Sequence, residues 1–224
     1  MRILVFAAHP DDEVIGVGGT LIKRKKEGHH TAVCYFTAAV KKRNTDRDIR
    51  DKMLETEKAG RVLALDRQYF LNYPAACTDR IGQEKIIKSI KKVIKEFQPN
   101  VIYTHYIYDL HSDHRILTEN VLIATRPVNF DFIAQVYFYN EFTSSTFWSL
   151  PENVFRPNVF VDISATMTKK LMAFSCYKSQ LRQAYSTRNA DFLEKAASYY
   201  GQAIGVKYAE TFSLVYHREV MRKY

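Results

Sequence analysis

The 224-residue sequence has few cysteines, and the three present, Cys34, Cys77 and Cys176, are an odd number without C-x-x-C spacing. That suggests neither a disulfide framework nor a thiolate zinc site, and the thiols read as reduced. No uninterrupted apolar run approaches the roughly 18 residues of a membrane span. The apolar stretch Ile3 to Ala8 is shorter than a signal-peptide core and runs directly into charge. The expected location is therefore cytoplasmic. Zinc-finger, RRM and helix-turn-helix patterns are lacking, so the net charge of +9 does not by itself argue for a nucleic-acid partner. The basic clusters are KRKK at 23–26, KKR at 41–43 and the lysines of 84–97. The last alternate with Ile86, Ile87, Ile90, Val93, Ile94 and Phe97 at helical spacing, the pattern of an amphipathic helix with a solvated face. A phosphate loop ending in Gly-Lys-Ser/Thr and a G-x-S-x-G elbow are also missing, and none of the cysteines lies in a polar cluster. The glycines of GVGG at 16–19 do not complete a dinucleotide fingerprint, because the third glycine would stand where Leu21 does.

What is present is an alternation of two periods. Strands are expected at Ile3 to Ala7, Thr31 to Phe36, Gln68 to Leu71 and Val101 to Thr104. Helices are expected at Gly19 to Glu27, Asp46 to Leu63, 83–97 and Ile116 to Thr125. Repeated β-α-β with apolar strands implies an α/β, Rossmann-like, mostly parallel sheet with helices on both faces. The second half reads less regularly, with strands at 133–139 and 159–162 and helices near 166–183 and 189–200. No linker or repeat separates the halves. Residues 1–224 are expected to form one domain, with a regular core at 1–130 and a C-terminal part at 131–224 covering the sheet edge or the site. The Ser/Thr-rich loop 143–149 is read as a lid or an interface.

Two polar clusters, at 9–13 and 105–114, follow expected strands. In a doubly wound sheet the crevice beyond the strand ends binds the ligand, so both clusters are expected there. His9, Asp12 and His114 supply two imidazoles and one carboxylate, a set that binds catalytic zinc with one position open. Asp11, next to a ligand on a turn stiffened by Pro10, is placed to take a proton from the water such a metal holds. Taken singly, His-x-x-Asp is more often a surface or capping arrangement, and Ser112 or Asp113 is a plausible helix cap. Coincidence of the two clusters at strand ends favours the catalytic reading.

AHPDDE at 8–13 together with HSDHR at 111–115 resembles the LmbE-like (PIG-L) zinc-dependent N-deacetylases, whose second motif usually reads H-P-D-H. FRPNVFVDIS at 155–164, KKLMAFSCYKSQ at 169–180 and YAETF at 208–212 are similar to that family's C-terminal half. The resemblance implies a Rossmann-like fold and hydrolysis of an acetamide on a sugar or sugar conjugate, releasing acetate and a free amine. It matches His9, Asp12 and His114 to the zinc ligands and Asp11 to the general base. It matches His111 to the oxyanion-stabilising His, and Asp113 to the carboxylate that bonds to His111 and favours its protonated form. Ser112 departs from the family's proline. The family's substrate-holding Arg is matched best by Arg50, with Lys52 close by. Asp109 and Glu141 are candidates for binding substrate hydroxyls, and His105 is read as a pocket wall.

One zinc per chain is expected, although these ligand types also accept iron or cobalt. The expected partner is a small N-acetylated sugar or conjugate, phosphate- or nucleotide-linked conjugates included, and the oligomeric state, homo-oligomers included, is left open. The alternatives are an amidase of the same fold acting on another acyl group or a thiol conjugate, and a non-catalytic ligand-binding protein. Most of the fifteen Tyr and fourteen Phe are read as core.

Overall fold

The computed structural model describes residues 1–38, 46–142, 151–183 and 186–219. The KKR cluster and the 143–149 loop lie outside them.

The β1 segment RILVFA (Arg2–Ala7) is apolar at every position but the first and becomes an interior strand covered on both faces. It is flanked by β2 (His30–Ala38) and β4 (Val101–His105), both parallel to it. With β3 (Arg67–Pro74), β5 (Gln135–Tyr139), β6 (Val159–Asp162) and β7 (Ala209–His217) they form one seven-stranded sheet in the order β3-β2-β1-β4-β5-β7-β6. Six strands run in one direction, and β7, between β5 and β6, runs antiparallel to both.

Alternation along β1 divides the core. Ile3, Val5 and Ala7 face α1 (Asp12–Lys26), α2 (Asp46–Leu63), α5 (Met167–Ser175) and α6 (Ala190–Ala203). Leu4, Phe6 and Ala8 face α3 (Gln83–Phe97) and α4 (Ser112–Ala124) on the other side. Helix α3 buries Ile86, Ile90, Val93, Ile94 and Phe97, the stripe its spacing implies, and KRKK forms the last turn of α1, where cations oppose the negative end of the helix dipole. No helix among the described residues is long and apolar enough to cross a membrane.

Four elements depart from expectation, one of them only at its end: α5 stops at Ser175, well short of residue 183. Helix α1 begins at Asp12, seven residues before Gly19, so the glycines lie inside the helix. They are there because neighbours press close: a Cβ on Gly16 would meet Tyr139 Cδ2 at 2.3 Å, and one on Gly19 would meet Ile163 at 2.8 Å. Helix α4 begins at Ser112 instead of Ile116, with His111 as its cap, which draws the second motif into its first turn. Strand β7 was not expected at all. Its first half buries Glu210 and Thr211 beside Ala209 and Phe212, and buried polar groups erase the hydrophobic alternation that would reveal it.

Glu210 has a definite partner set. Its carboxylate accepts from the mid-helix amides of Gly19 (2.8 Å) and Thr20 (2.7 Å) and from Lys170 Nζ (2.6 Å). Lys170 also donates to the carbonyl of Ile15 (2.7 Å). A buried ion pair thus engages the amide of Gly19 and the carbonyl of Ile15, groups that a regular helix would pair with each other.

Candidate active site

Both motifs stand at the carboxyl ends of neighbouring strands, His9 just past β1 and the 109–114 segment just past β4. Thr37 fastens the end of β1, donating from its amide (3.0 Å) and its Oγ1 (2.7 Å) to the carbonyl of Ala8. The chain then turns through Asp11, whose φ of 111° and ψ of −29° are costly for a residue with a Cβ. Neighbouring carboxylates hold that turn. Asp12 Oδ2 accepts from the His9 amide (2.7 Å), and Glu13 Oε2 accepts from the Asp11 amide (3.1 Å). Glu13 Oε1 in turn accepts from the Tyr177 hydroxyl (2.5 Å), far along the chain. Burial pushes the Glu13 carboxyl up to about 7.

His9 Nδ1, Asp12 Oδ2 and His114 Nε2 converge: 3.2 Å separates the two nitrogens, and Asp12 Oδ2 lies 3.4 Å from His9 and 3.7 Å from His114. Ligand atoms on a tetrahedral zinc, at about 2.0–2.1 Å from the ion, lie about 3.3 Å from one another. Two overlapping groups of described side chains could hold a cation, His9 with His111 and His114, and Asp12 with His105, His114 and Glu141. Hydrogen bonding separates the competing ligands. His105 Nε2 accepts from the Ala8 amide (2.8 Å) and its Nδ1 faces Glu141 Oε1, so neither nitrogen of that ring is free. His111 Nδ1 accepts from the Asp113 amide (3.2 Å). His9 Nδ1, Asp12 Oδ2 and His114 Nε2 are left aimed at one another and fit a divalent cation, while the unpartnered Oε2 of Glu141 lies on the Nδ1 side of His114.

The supporting carboxylates are placed as such a site requires. Asp109 Oδ2 lies 3.0 Å from His114 Nδ1, and its Oδ1 accepts from the His111 amide (2.8 Å). Glu141 is buried behind His105, with Oε2 3.4 Å from His114 Nδ1. Both residues, considered above for substrate hydroxyls, are thus engaged with histidines. Asp113 differs from its expected pairing: its Oδ2 lies 3.0 Å from Nε2 of His9, not on His111, and it also accepts from Ala76 N (2.8 Å) and, through Oδ1, from Thr78 Oγ1 (2.5 Å). Burial, with His114 and His9 nearby, lowers His111 to about 4, and its Nδ1 accepts from the Asp113 amide, which leaves the proton on Nε2.

Charge among the site residues is strongly polarised. Burial opposes charge on Asp12, but His114 and His9 hold its carboxyl well below the usual range. Burial would lower His9, yet hydrogen bonds to Asp113 and Asp12 raise it to about 10, so a cation entering here displaces a proton. Asp11 is pushed up to about 8 by burial and the charge of Asp12, against the pull of Arg188.

A cavity of about 1120 Å³ opens beside this turn. His9, Asp11 and His111 form one end of its wall, and Ile49, Lys52, Met53 and Thr56, one face of α2, form part of its side. Arg50 lies off that face and is exposed, whereas Arg80 and Arg188 line the cavity.

Over residues 4–125 the chain matches the family model described as PIG-L, GlcNAc-PI de-N-acetylase. The chain belongs to the PIG-L family. Among curated relatives, the diacetylchitobiose deacetylase of Thermococcus kodakarensis is 28% identical over 96% of this chain and 83% of its own length. Among solved structures, the N,N'-diacetylchitobiose deacetylase of Pyrococcus horikoshii superposes with a TM-score of 0.74 at 24% identity, covering 96% of this chain and 83% of that one. The 4-carboxy-2-hydroxymuconate hydratase of Pseudomonas putida superposes almost as well, with a TM-score of 0.73 at 19% identity over 100% of this chain and 99% of that one. At that identity the likeness extends to the fold alone, and the chemistry of this PIG-L chain has to be read from its own residues. Arg188, Tyr177 and the roles of Glu13 and Asp109 escaped the sequence reading. The signal present was KKLMAFSCYKSQ, which carries Tyr177 but does not reveal its partner.

Proposed function

We propose that this chain is a metal-dependent N-deacetylase that hydrolyses the acetamide of an amino sugar or amino-sugar conjugate. The observation that carries the reading is the convergence of His9 Nδ1, Asp12 Oδ2 and His114 Nε2 beside the buried carboxylate of Asp11. When bound there, a zinc ion supplies Lewis acidity toward the amide carbonyl and lowers the pKa of water to about 7. Asp11 accepts the proton of the attacking water and returns it to the departing amine, so the carboxylate ends as it began. His111, neutral with its proton on Nε2, donates to the carbonyl oxygen as negative charge develops. Asp109 and Asp113 hold the rings of His114 and His9 through their other nitrogens.

The cavity supports a substrate larger than one sugar, since its volume exceeds the roughly 300–1,000 Å³ usual for small-molecule pockets. Lys52 and Arg80 on its wall favour a conjugate bearing phosphate or carboxylate. We read residues 1–224 as one catalytic domain and, from the unpaired Cys34, Cys77 and Cys176, as a cytoplasmic one.

The test is acetate release from a panel of N-acetylated sugars and conjugates by protein of measured metal content, alongside Asp11→Ala. Turnover should vanish in the variant while metal is retained; full activity would remove the proposed base. Larger acyl groups in the same panel decide between a deacetylase and an amidase of different acyl preference.

A further inference from the structure

Asp11 is held at its backbone by hydrogen bonds, but its carboxylate is not. Both oxygens are buried and lack a hydrogen bond among the described residues. The cation that reaches them is Arg188, whose Nη1 lies 3.1 Å from Oδ2. Arg188 belongs to the segment before α6, and that segment is pinned on several sides. Nη1 also donates to Gln180 Oε1 (2.8 Å), the Arg188 amide donates to Ser186 Oγ (3.2 Å), and its carbonyl accepts from the Arg182 amide (2.9 Å). The next residue, Asn189, caps α6 by accepting from the Phe192 amide (2.8 Å). The guanidinium therefore reaches the catalytic turn from a preorganised loop, and it does so from the C-terminal half of the chain.

We propose that Arg188 is the positioning residue of Asp11, fixing one carboxylate oxygen so that the group presents a single orientation to the reacting water. The proposal rests on Asp11 acting as the proton acceptor. A carboxylate's last torsion is broad and nearly two-fold, so without a partner the proton-accepting oxygen is not held in place. A proton acceptor misplaced by about 1 Å costs on the order of 100-fold in rate. The anchored guanidinium removes that freedom, and lysine, a point charge on a flexible stem, replaces it only in part.

Steady-state kinetics of the metal-loaded full chain tests this with Arg188→Gln, Arg188→Lys and Gln180→Ala. In Arg188→Gln, kcat should fall about 10- to 100-fold, with KM within about threefold of wild type and metal content unchanged. Lysine should recover part of the loss. Gln180→Ala should cause a smaller fall that disappears when Arg188 is already glutamine, since the two act in one chain of contacts. An unchanged kcat, a rise in KM alone, or losses that multiply in the double variant would overturn the proposal. A crystal structure of Arg188→Gln tests the same point without turnover: the Asp11 carboxylate should rotate or split between orientations. If it stays in place the positioning role is wrong, whether or not any acetamide is hydrolysed; if it moves while no acetamide is turned over, only the deacetylase reading fails.

Discussion

Replacing Gly16 by alanine adds one methyl group where the helix leaves no room for it. Its Cβ would lie 2.3 Å from Tyr139 Cδ2, and ordinary contact begins at 3.4 Å, so the ring must retreat by 3.4 − 2.3 = 1.1 Å. Tyr139 is not free to do so, because its hydroxyl donates to the carbonyl of Phe6 (2.9 Å) and lies 3.0 Å from His105 Nε2. Overpacking costs about 1–3 kcal/mol, and loosening a buried hydroxyl about as much again. Alanine's better helix propensity returns about 1 kcal/mol. The expected net loss is about 3 kcal/mol, a fall in Tm of about 6–12 °C for a domain of this size. Activity should fall too, since the His105 ring stacks on His114 with centroids 4.0 Å apart. Thermal and urea unfolding would measure the loss. Gly18→Ala is the control: its Cβ would meet Val14 Cγ1 at 3.3 Å and Lys170 Cγ at 3.5 Å, so it should be neutral or mildly stabilising. A Gly16→Ala protein that melts at or above the wild-type temperature would refute the close approach and its link to the site.

Two other substitutions probe the supports of the two motifs. Asp113→Ala removes the partner of His9 Nε2 and frees the turn at Ala76 and Thr78, so metal affinity in a chelator competition should fall about 10- to 100-fold; unchanged affinity would mean that His9 needs no carboxylate behind it. Lys170→Met leaves Glu210 buried without its cation and should cost about 3–5 kcal/mol in urea unfolding. Adding Glu210→Leu should restore part of that loss, and strictly additive losses would show that the pair is not coupled.

The parallel core was legible because its strands are apolar runs and α3 repeats its isoleucines at helical spacing; α2, α3 and β6 occupy the expected spans. Placing both polar clusters after strands was enough to foresee their meeting, because strand ends in such a sheet share one crevice. The start of α1 was hidden by Gly16 and Gly18, which read as a turn ahead of a helix at Gly19; the ring of Tyr139 and the side chain of Ile163 explain the lack of Cβ at Gly16 and Gly19. Strand β7 was hidden by Glu210, a charge in a buried position that makes sense only with Lys170 opposite. Arg50, in α2, was the arginine singled out, as the match to the family's substrate-holding Arg. Arg188 could not be found that way, because what brings it to Asp11 is the path of the segment before α6, set by packing and by Gln180 and Asn189.

The ion pair inside α1 also bears on the order in which the molecule can assemble. Glu210 binds the amides of Gly19 and Thr20 across 191 and 190 residues of chain. During synthesis the middle of α1 waits for a carboxylate made 191 residues after Gly19. At about 5–20 residues per second that interval is on the order of ten seconds or more. Until then Ile15 and Gly19 lack Lys170 and Glu210, and the face of β5 that β7 will pair with is an open strand edge. Strand β7 therefore completes α1 and seals that edge at the same moment, and the nascent chain is most exposed to misassociation while it waits.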